Sequence, residues 1–373
     1  MIGGFLGSGK TTSVLELAGW FRDQGKRVGL ITNDQGRELV DTAMLRSRGF
    51  ATEEISGGCF CCRFNSLTQA ADKLTAATRP DVFIAEPVGS CTDLIATVSY
   101  PLRRLYGNKF TVAPLSVLVD PIRAERILGL ESGRSFSAKV SYIYRKQLEE
   151  ADLIVINKCD LLSPTRLDRL QAALLKAFQH AEILQVSARH NRNLNSWFDQ
   201  IARRQHKTRP VMPIDYEIYA EGEAELGWLN ATVQLSSPAP FDANALLSIL
   251  AKELQNRLQA VDAEVAHLKM TFSPSIGLGD IAVVNLVRND YVPELTSRTE
   301  ELSNDGQLII NLRAQAQAQD LADGLQQSLK SIATRELTVN LDHLEHFQPA
   351  KPQPTHRDTA PVGDDEPKAQ VEQ

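Results

Sequence analysis

Gly4-Phe5-Leu6-Gly7-Ser8-Gly9-Lys10-Thr11 decides how the rest of this 373-residue chain is read. It satisfies G-x-x-x-x-G-K-[ST] at every fixed position, and an amphipathic stretch, Thr12 to Arg22, follows as the motif requires. The glycines let successive backbone N–H groups point at phosphate oxygens, and the helix N-terminus adds the positive end of its dipole. In such a loop the Lys10 ammonium reaches the β- and γ-phosphates and the Thr11 hydroxyl ligates Mg²⁺. Gly4, Gly7, Ser8, Gly9 and Thr12 complete the candidate phosphate set. Only Met1 and Ile2 precede the first glycine, where a central strand of about five residues is usual. The expectation is a start codon upstream of Met1.

Working outward, short apolar runs alternate with amphipathic segments through residue 205. They are Arg27-Val28-Gly29-Leu30-Ile31, Asp81-Val82-Phe83-Ile84-Ala85, Leu115-Ser116-Val117-Leu118-Val119, Asp152-Leu153-Ile154-Val155-Ile156 and Glu182 to Val186. Runs that are apolar on both alternating positions are buried on both faces, as in a parallel sheet covered by helices. The fold class is therefore α/β, a P-loop NTPase domain over 1–205. Charge and two prolines mark 206–213 as a linker, and the basic run from Arg203 to Lys207 reads as solvated rather than as a nucleic-acid patch. Strand-like 228–235, 265–272, 280–287, 307–313 and 336–341, with helical 242–260 and 318–332, predict a smaller, mostly antiparallel α+β domain over 214–347. From 348 the chain has hardly an aliphatic residue and reads as a disordered tail.

Asn157-Lys158-Cys159-Asp160, at the end of the 152–156 run, has the N-K-x-D form. An Asp carboxylate there accepts hydrogen bonds from N1–H and the exocyclic amine of guanine, whereas adenine would leave it unpaired. GTP is thus expected over ATP. Ser187-Ala188-Arg189 stands where a short loop offers backbone N–H groups to the guanine. Glu86-Pro87-Val88-Gly89 ends the 81–85 run, at the sheet edge where Mg²⁺ and the γ-phosphate sit in such folds. Glu86 is a candidate Mg²⁺ ligand through water, against the blander reading of an N-cap, and the Gly89 N–H a candidate γ-phosphate sensor. Asp34 is a candidate Mg²⁺-shell or water-orienting acid.

Five cysteines is an odd count, and three of them crowd into Gly57-Gly58-Cys59-Phe60-Cys61-Cys62, where a disulfide framework would space them out. Thiolates are soft donors suited to Zn²⁺ or Cu⁺, with Co²⁺ and Ni²⁺ next. No second Cys pair lies nearby, so Cys59, Cys61 and Cys62 suggest an open, exchangeable site, the alternative being buried structural thiols or a redox pair. Cys91 and Cys159 are isolated, and packing is the usual fate of a lone cysteine. His343 and His346, three apart around Glu345, are a weak metal pair if helical.

Composition narrows the partners. The 40 Lys+Arg against 46 Asp+Glu leave a dispersed charge of −6, with no basic footprint for nucleic acid. At 43% apolar and 23% charged the chain is an ordinary globular one. No run approaches the ~18 apolar residues of a membrane span, and no signal peptide is evident, so a cytoplasmic location is expected.

Together, Gly3 to Thr12, Asn33-Asp34-Gln35-Gly36, Gly57 to Cys62, Glu86 to Gly89 and Asn157 to Asp160 resemble the CobW-like family of P-loop GTPases, relatives of those that deliver nickel to urease and hydrogenase. The resemblance covers roughly 1–205. It implies a GTPase, with Lys10, Glu86 and Asp34 at the chemistry, that binds zinc or cobalt through Cys59, Cys61 and Cys62 and hands it to an unidentified client metalloprotein. The C-terminal domain would recognise the client, and a homodimer is left open. The family commonly has an acid where this chain has Arg37, a histidine-rich stretch is missing with only seven histidines present, and 212–345 carries no recognisable family motif. Slow intrinsic hydrolysis is expected, with Arg37 the one candidate arginine finger. Competing readings are a regulatory or scaffolding GTPase with a structural ion, a nucleotide-dependent kinase, and a redox sensor.

Overall fold

The apolar runs of the first half form parallel strands with helices packed against them. The computed structural model describes residues 1–34, 45, 48–107, 109–206, 208–275 and 280–361. They fall into two units, the first drawing on 1–34, 48–220 and 351–361 and the second on 45 and 221–350. In the first, β1 (Ile2–Gly4), β2 (Val28–Asn33), β3 (Ala51–Ile55), β4 (Val82–Glu86), β5 (Ser116–Val119), β6 (Leu153–Ile156) and β7 (Glu182–Gln185) make two parallel ladders, β3-β2-β4 and β1-β5-β6-β7. β1 and β4 are neighbours in space, so the ladders lie side by side.

Each of β2, β5 and β6 is buried along its whole length, which both-face coverage by helices demands. The helices include α1 (Lys10–Asp23), α2 (Phe64–Thr78), α3 (Tyr100–Tyr106), α4 (Pro121–Ile127), α5 (Ala138–Glu149), α6 (Pro164–Ala177) and α7 (Leu194–Arg203), and a further short helix spans Tyr216–Ala224. Asp120 stops β5 and starts α4: its Oδ1 accepts from the Arg123 N–H at 3.1 Å, with Pro121 at the first helical position. The fully buried Trp197 of α7 donates its indole N–H to Ser116 Oγ on β5 at 2.9 Å, fixing that helix to the sheet. Strand β3 was not visible in the apolar pattern, because Ala-Thr-Glu-Glu-Ile carries two carboxylates at a half-exposed edge.

The second unit is a six-stranded antiparallel sheet in the order β11-β10-β9-β12-β8-β13. Its strands are β8 (Leu226–Phe241), β9 (Glu264–Pro274), β10 (Ala282–Leu286), β11 (Glu294–Ser297), β12 (Ser303–Gln315) and β13 (Thr338–Phe347). Helices α8 (Ala243–Ala260) and α9 (Ala318–Ile332) set Leu247, Leu250, Leu254, Leu321 and Leu325 into one core with Leu229, Val233, Leu268 and Leu312. His343 and His346 lie on β13, not on a helix, and an odd spacing on a strand sends them to opposite faces. They are therefore not a metal pair. Among the described residues no helix is long and apolar enough to cross a membrane.

Two segments read as solvent-facing are held against the first unit. His206 is buried: its Nδ1 pairs with Asp152 Oδ2 at 2.5 Å and its carbonyl accepts from Arg103 at 2.5 Å. Lys207 lies outside the described residues. Residues 351–361, expected to be disordered, run along the cysteine cluster. The Thr355 N–H donates to Cys61 O at 2.8 Å, its hydroxyl to Cys62 O at 3.1 Å, and the Gln353 N–H to Cys62 Sγ at 3.2 Å. The His356 ring meets Phe64 edge-on at 4.9 Å, and Arg104 Nε faces both Asp358 oxygens at 3.1 and 3.2 Å. Arg357 Nε donates to Asp93 Oδ2 at 2.7 Å. Backbone donors and ion pairs, which a hydropathy reading does not register, do the holding.

Asp93 is 1% exposed in its side chain and Arg357 29%, so this pair is only partly screened. Removing the guanidinium leaves a buried carboxylate that accepts from the Tyr216 hydroxyl at 2.7 Å. Arg357→Ala should cost about 1–3 kcal/mol of stability. Chemical denaturation at pH 8 measures it, and Arg357→Lys should recover part of the loss.

Candidate functional site

The loop between β1 and α1 is shaped by glycines in backbone conformations that L side chains rarely adopt. Gly4, Gly7 and Gly9 have φ of +131°, +77° and +90°. A Cβ on Gly9 would stand 2.4 Å from Asn157 Nδ2, and one on Gly4 2.4 Å from Leu118 O. Lys10 Nζ donates to Gly4 O at 3.0 Å, so its ammonium spans the loop from helix start to strand end. Ser8 Oγ is buried and has no hydrogen-bond partner among the described residues, while Thr12 is exposed at the start of α1. A glycine-lined cradle at a helix N-terminus, crossed by an ammonium, is the donor set a polyphosphate needs.

Opposite the loop, Asn157 acts as a staple. Its Nδ2 donates to Ser8 O at 2.9 Å and its Oδ1 accepts from the Ala188 N–H at 3.1 Å, so one side chain holds the P-loop and the Ser187-Ala188 turn together. Ser187 Oγ is buried with no hydrogen-bond partner among the described residues, and the turn is closed by backbone bonds between Ser187 and Arg192 at 3.1 and 3.0 Å. Lys158, at φ +54°, donates to Gly7 O at 2.7 Å and pairs with Asp120 Oδ2 at 3.0 Å. Asp120 was not singled out in the sequence, although an Asp-Pro step straight after an apolar run is a helix-start signal. Asp160 remains 30% exposed, with His190 Nε2 3.6 Å away, leaving its carboxylate open to a base edge.

The edge of the other ladder supplies the acids. Thr11 Oγ1 donates to Glu86 Oε1 at 3.0 Å, which brings both candidate Mg²⁺ residues together from separate ladders. Oxygen donors of this kind suit a hard divalent cation. Glu86 is the register partner of Thr32 on β2, and the next residue, Asn33, donates through Nδ2 to Ile55 O at 3.0 Å and Gly58 O at 2.6 Å. Asp34 follows, its N–H on Ile55 O at 3.1 Å. Gln35, Gly36 and Arg37 lie outside the described residues. Gly89 packs against the P-loop: a Cβ there would lie 2.7 Å from the Leu6 side chain.

Asn33 thus grips the Gly57-Gly58 turn that leads into the cysteines, where Gly58 at φ +150° lets the chain reverse. The Cys59 and Cys61 sulfurs are 2.6 Å apart, Cys59 and Cys62 3.1 Å, and Cys61 and Cys62 3.7 Å. Among the described residues this is the one such cluster of metal-ligating side chains. Two thiolates bound tetrahedrally at ~2.3 Å from zinc stand about 3.8 Å apart, so Cys61 and Cys62 already match and Cys59 needs to move by about 1 Å. Hydrogen bonds from Cys61, Cys62 and Cys91 hold the Cys59 thiol well below the ordinary thiol range. Cys62, beside Cys59, is pushed up to about 11, the Gln353 N–H acting against that rise. Cys159 is buried under the N-K-x-D turn and has no part in the cluster.

Cys91, expected to be ordinary packing, is buried; its thiol helps hold the Cys59 thiol down and push the Cys61 thiol up, and it lies outside the group of three metal-ligating sulfurs. Its backbone is fixed by Gln147, whose Nε2 donates to Gly89 O and to Cys91 O at 2.9 Å each. Gln147, like the 351–358 segment, carried no sequence signal, because a glutamine on an amphipathic helix is ordinarily surface.

Behind Cys91 sits Glu150, fully buried, accepting from Thr92 Oγ1 at 3.1 Å and the Ile95 N–H at 3.2 Å. Burial and then the Asp93 charge push its carboxyl up to about 8.

Residues 1–185 match the family described as CobW/HypB/UreG, nucleotide-binding domain. "Zinc chaperone YeiR" of Escherichia coli K12 is 32% identical over 175 residues, which is 46% of this chain and 49% of that protein. "Zinc chaperone CobW" of a Sinorhizobium species is 30% identical over 189 residues, 45% of this chain and 52% of that one. "Zinc-regulated GTPase metalloprotein activator 1" of Dictyostelium discoideum is 26% identical over 212 residues, 49% of this chain and 44% of that one. The chain spans about half the length of each.

Two outcomes test the geometry. Gly9→Ala, which sets a methyl against Asn157 Nδ2, should weaken guanine-nucleotide binding at least tenfold by fluorescence titration, through strain of about 1–3 kcal/mol. Between the model-compound value of 4.5 and the folded value of about 8, the folded chain keeps a proton on Glu150 that the unfolded chain has lost. The contribution of Glu150 to stability should therefore be fully present below pH 4.5 and be lost as pH rises to 8, at no more than about 1.4 kcal/mol per unit. Glu150→Gln should flatten that slope in a series of melting curves.

Proposed function

Taking residues 1–185 as a nucleotide-binding domain of the CobW/HypB/UreG family, we propose that this chain is a cytoplasmic GTP-hydrolysing metallochaperone. Its cargo is a soft divalent ion, zinc first and cobalt second, taken up on Cys59, Cys61 and Cys62 and passed to a client metalloprotein under nucleotide control. The observation that carries this reading is the trio of sulfurs within 3.7 Å of one another on a segment that Asn33 ties to the end of β2, one register step from Glu86.

The roles follow the chemistry of each group. The glycine loop with Gly4, Gly7, Ser8, Gly9 and Thr12 cradles the phosphates, and Lys10 leaves Gly4 O to neutralise the β- and γ-phosphates. Thr11 and Glu86 hold Mg²⁺, which supplies charge neutralisation at the phosphates, and Asp34 orients the attacking water. Gly89 reports the γ-phosphate. Asp160 reads guanine, Lys158 packs along it, and Asn157 and the Ser187 turn fix the base-binding edge. GTP orders the 33–62 segment and draws the thiols together; hydrolysis loosens both. The 214–347 domain recognises the client, beyond a 206–213 linker. The regulatory reading, with a structural ion, is favoured by the burial of Cys59 and Cys61.

Competitive chelator titration of Zn²⁺ and Co²⁺ into the reduced protein, with and without Mg²⁺ and a non-hydrolysable GTP analogue, separates the two. The chaperone reading expects a one-to-one site that tightens at least tenfold with nucleotide and vanishes in a Cys59/Cys61/Cys62→Ser variant, with GTP affinity rising by the same factor in metal. Metal binding absent or indifferent to nucleotide overturns it. Asp160→Ala should weaken GTP at least tenfold while leaving ATP unchanged, read by competition with a fluorescent analogue.

A further inference from the structure

The sulfur of the cluster that stands nearest to solvent is the one that the chain's own C-terminal stretch lies across. Cys59 and Cys61 are 5% and 1% exposed, whereas Cys62 is half-buried, so an arriving ligand meets Cys62 first. We infer that residues 351–358 are an autoinhibitory strap that occupies the approach to Cys62, and that a donor exchanges with the cluster only when the strap lifts. This deepens the metallochaperone reading and rests on it for the cargo.

The middle of the strap bonds to the cluster itself. The Gln353 N–H donates to Cys62 Sγ at 3.2 Å, on the sulfur that an ion or an incoming donor must reach. Thr355 then bridges two successive carbonyls, its N–H on Cys61 O at 2.8 Å and its hydroxyl on Cys62 O at 3.1 Å. Both ends are pinned elsewhere. Lys351 pairs with Glu217 at one end. At the other, the Asp358 N–H donates to Ala96 O at 2.9 Å, Arg104 Nε faces both Asp358 oxygens, and Arg357 Nε donates to Asp93 Oδ2 at 2.7 Å.

The bonding is of a kind that releases. Of residues 351–361 only Pro352 is buried, and none lies in a helix or strand, so hydrogen bonds and ion pairs hold the strap with little apolar burial. In each ion pair at least one side chain is well exposed: 45% and 76% for Lys351 and Glu217, 34% for Arg104, 29% for Arg357. Salt screens such pairs. A segment held this way opens locally while the surrounding core stays closed. The bond from Asn33 to Gly58 O and the start of α2 do not pass through the strap, so the three sulfurs stay together when it opens. A three-thiolate ion has an open position; the strap keeps donors from it, and once lifted it lets a client ligand attack before a sulfur leaves.

The test follows two reactions of the reduced full chain: alkylation of Cys62 by iodoacetamide, located by fragment mass spectrometry, and extraction of bound Zn²⁺ by a chelator. In Thr355→Pro/Asp358→Ala, which removes two donors to the cluster and the partner of Arg104, both should run at least tenfold faster than in wild type. Arg104→Ala leaves the strap's sequence intact and should fall between the two. Raising salt from about 50 to about 500 mM should speed wild type and leave the double variant within twofold. Melting curves of the metal-free chains report that the unit stays folded. Amide exchange on wild type needs no variant: the Thr355 and Asp358 amides should exchange at least a hundredfold faster than those of β5 and β6. Equal rates of either reaction in wild type and double variant overturn the inference, as does strap exchange as slow as that of β5 and β6. If no Zn²⁺ binds, the metallochaperone reading falls and alkylation alone decides the strap. If Zn²⁺ binds under nucleotide control yet leaves wild type as fast as the double variant, only the strap falls.

Discussion

The hydrogen bond from Thr11 Oγ1 to Glu86 Oε1 is the interaction on which the site depends, because it crosses the seam of the sheet. Thr11 follows β1, in the ladder whose β6 leads into the Asn157 to Asp160 turn, and Glu86 ends β4, in the ladder whose β3 leads to the cysteines. Within those ladders each strand is aligned by backbone bonds; between β1 and β4 the coupling falls to side chains. That makes the seam the place where a change of bound charge is felt by both halves. Gly89 against Leu6 adds a steric contact beside it, and both contacts bear on the loop that ends at Cys91.

What the sequence made legible was whatever has a short local signature. The P-loop, N-K-x-D and C-x-C-C are contiguous, their spacing is set by the backbone conformations they need, and the parallel strands around them are uniformly apolar. β3 and β11 escaped notice because an edge strand with carboxylates has neither period nor composition to mark it. The tertiary couplings escaped for another reason. Gln147 and Cys91 are 56 residues apart, and nothing in either neighbourhood names the other. A lone cysteine and an amphipathic-helix glutamine take on meaning only once the fold brings a third loop between them. Reading His343 and His346 as a helical pair failed on the same ground, since an apolar-polar alternation was heard with the wrong period.

The cysteine cluster is supported from three sides that differ in chemical character. Asn33 fixes the turn before it through two carbonyls, α2 begins directly after it, and the 351–358 segment lies along it, donating backbone N–H groups to Cys61 O and Cys62 Sγ. N–H donors toward sulfur favour the thiolate form, which is the form a soft metal takes. A cluster built this way gathers three sulfurs, two of them buried, an arrangement that a cargo site and a structural site share; they part only in how ligands are released.

The cover over Cys61 and Cys62 is supplied by residues that the ribosome makes after everything else described here. Between the first unit's main body and that cover lie residues 221–350, which take roughly 10 s to synthesise at about 5–20 residues per second. For that interval a nascent chain carries its P-loop, its sheet and its thiols without the strap that finishes them. The order of translation thus gives every new molecule a single period in which Cys61 and Cys62 meet the cell's metal and thiol pools bare of Gln353 and Thr355.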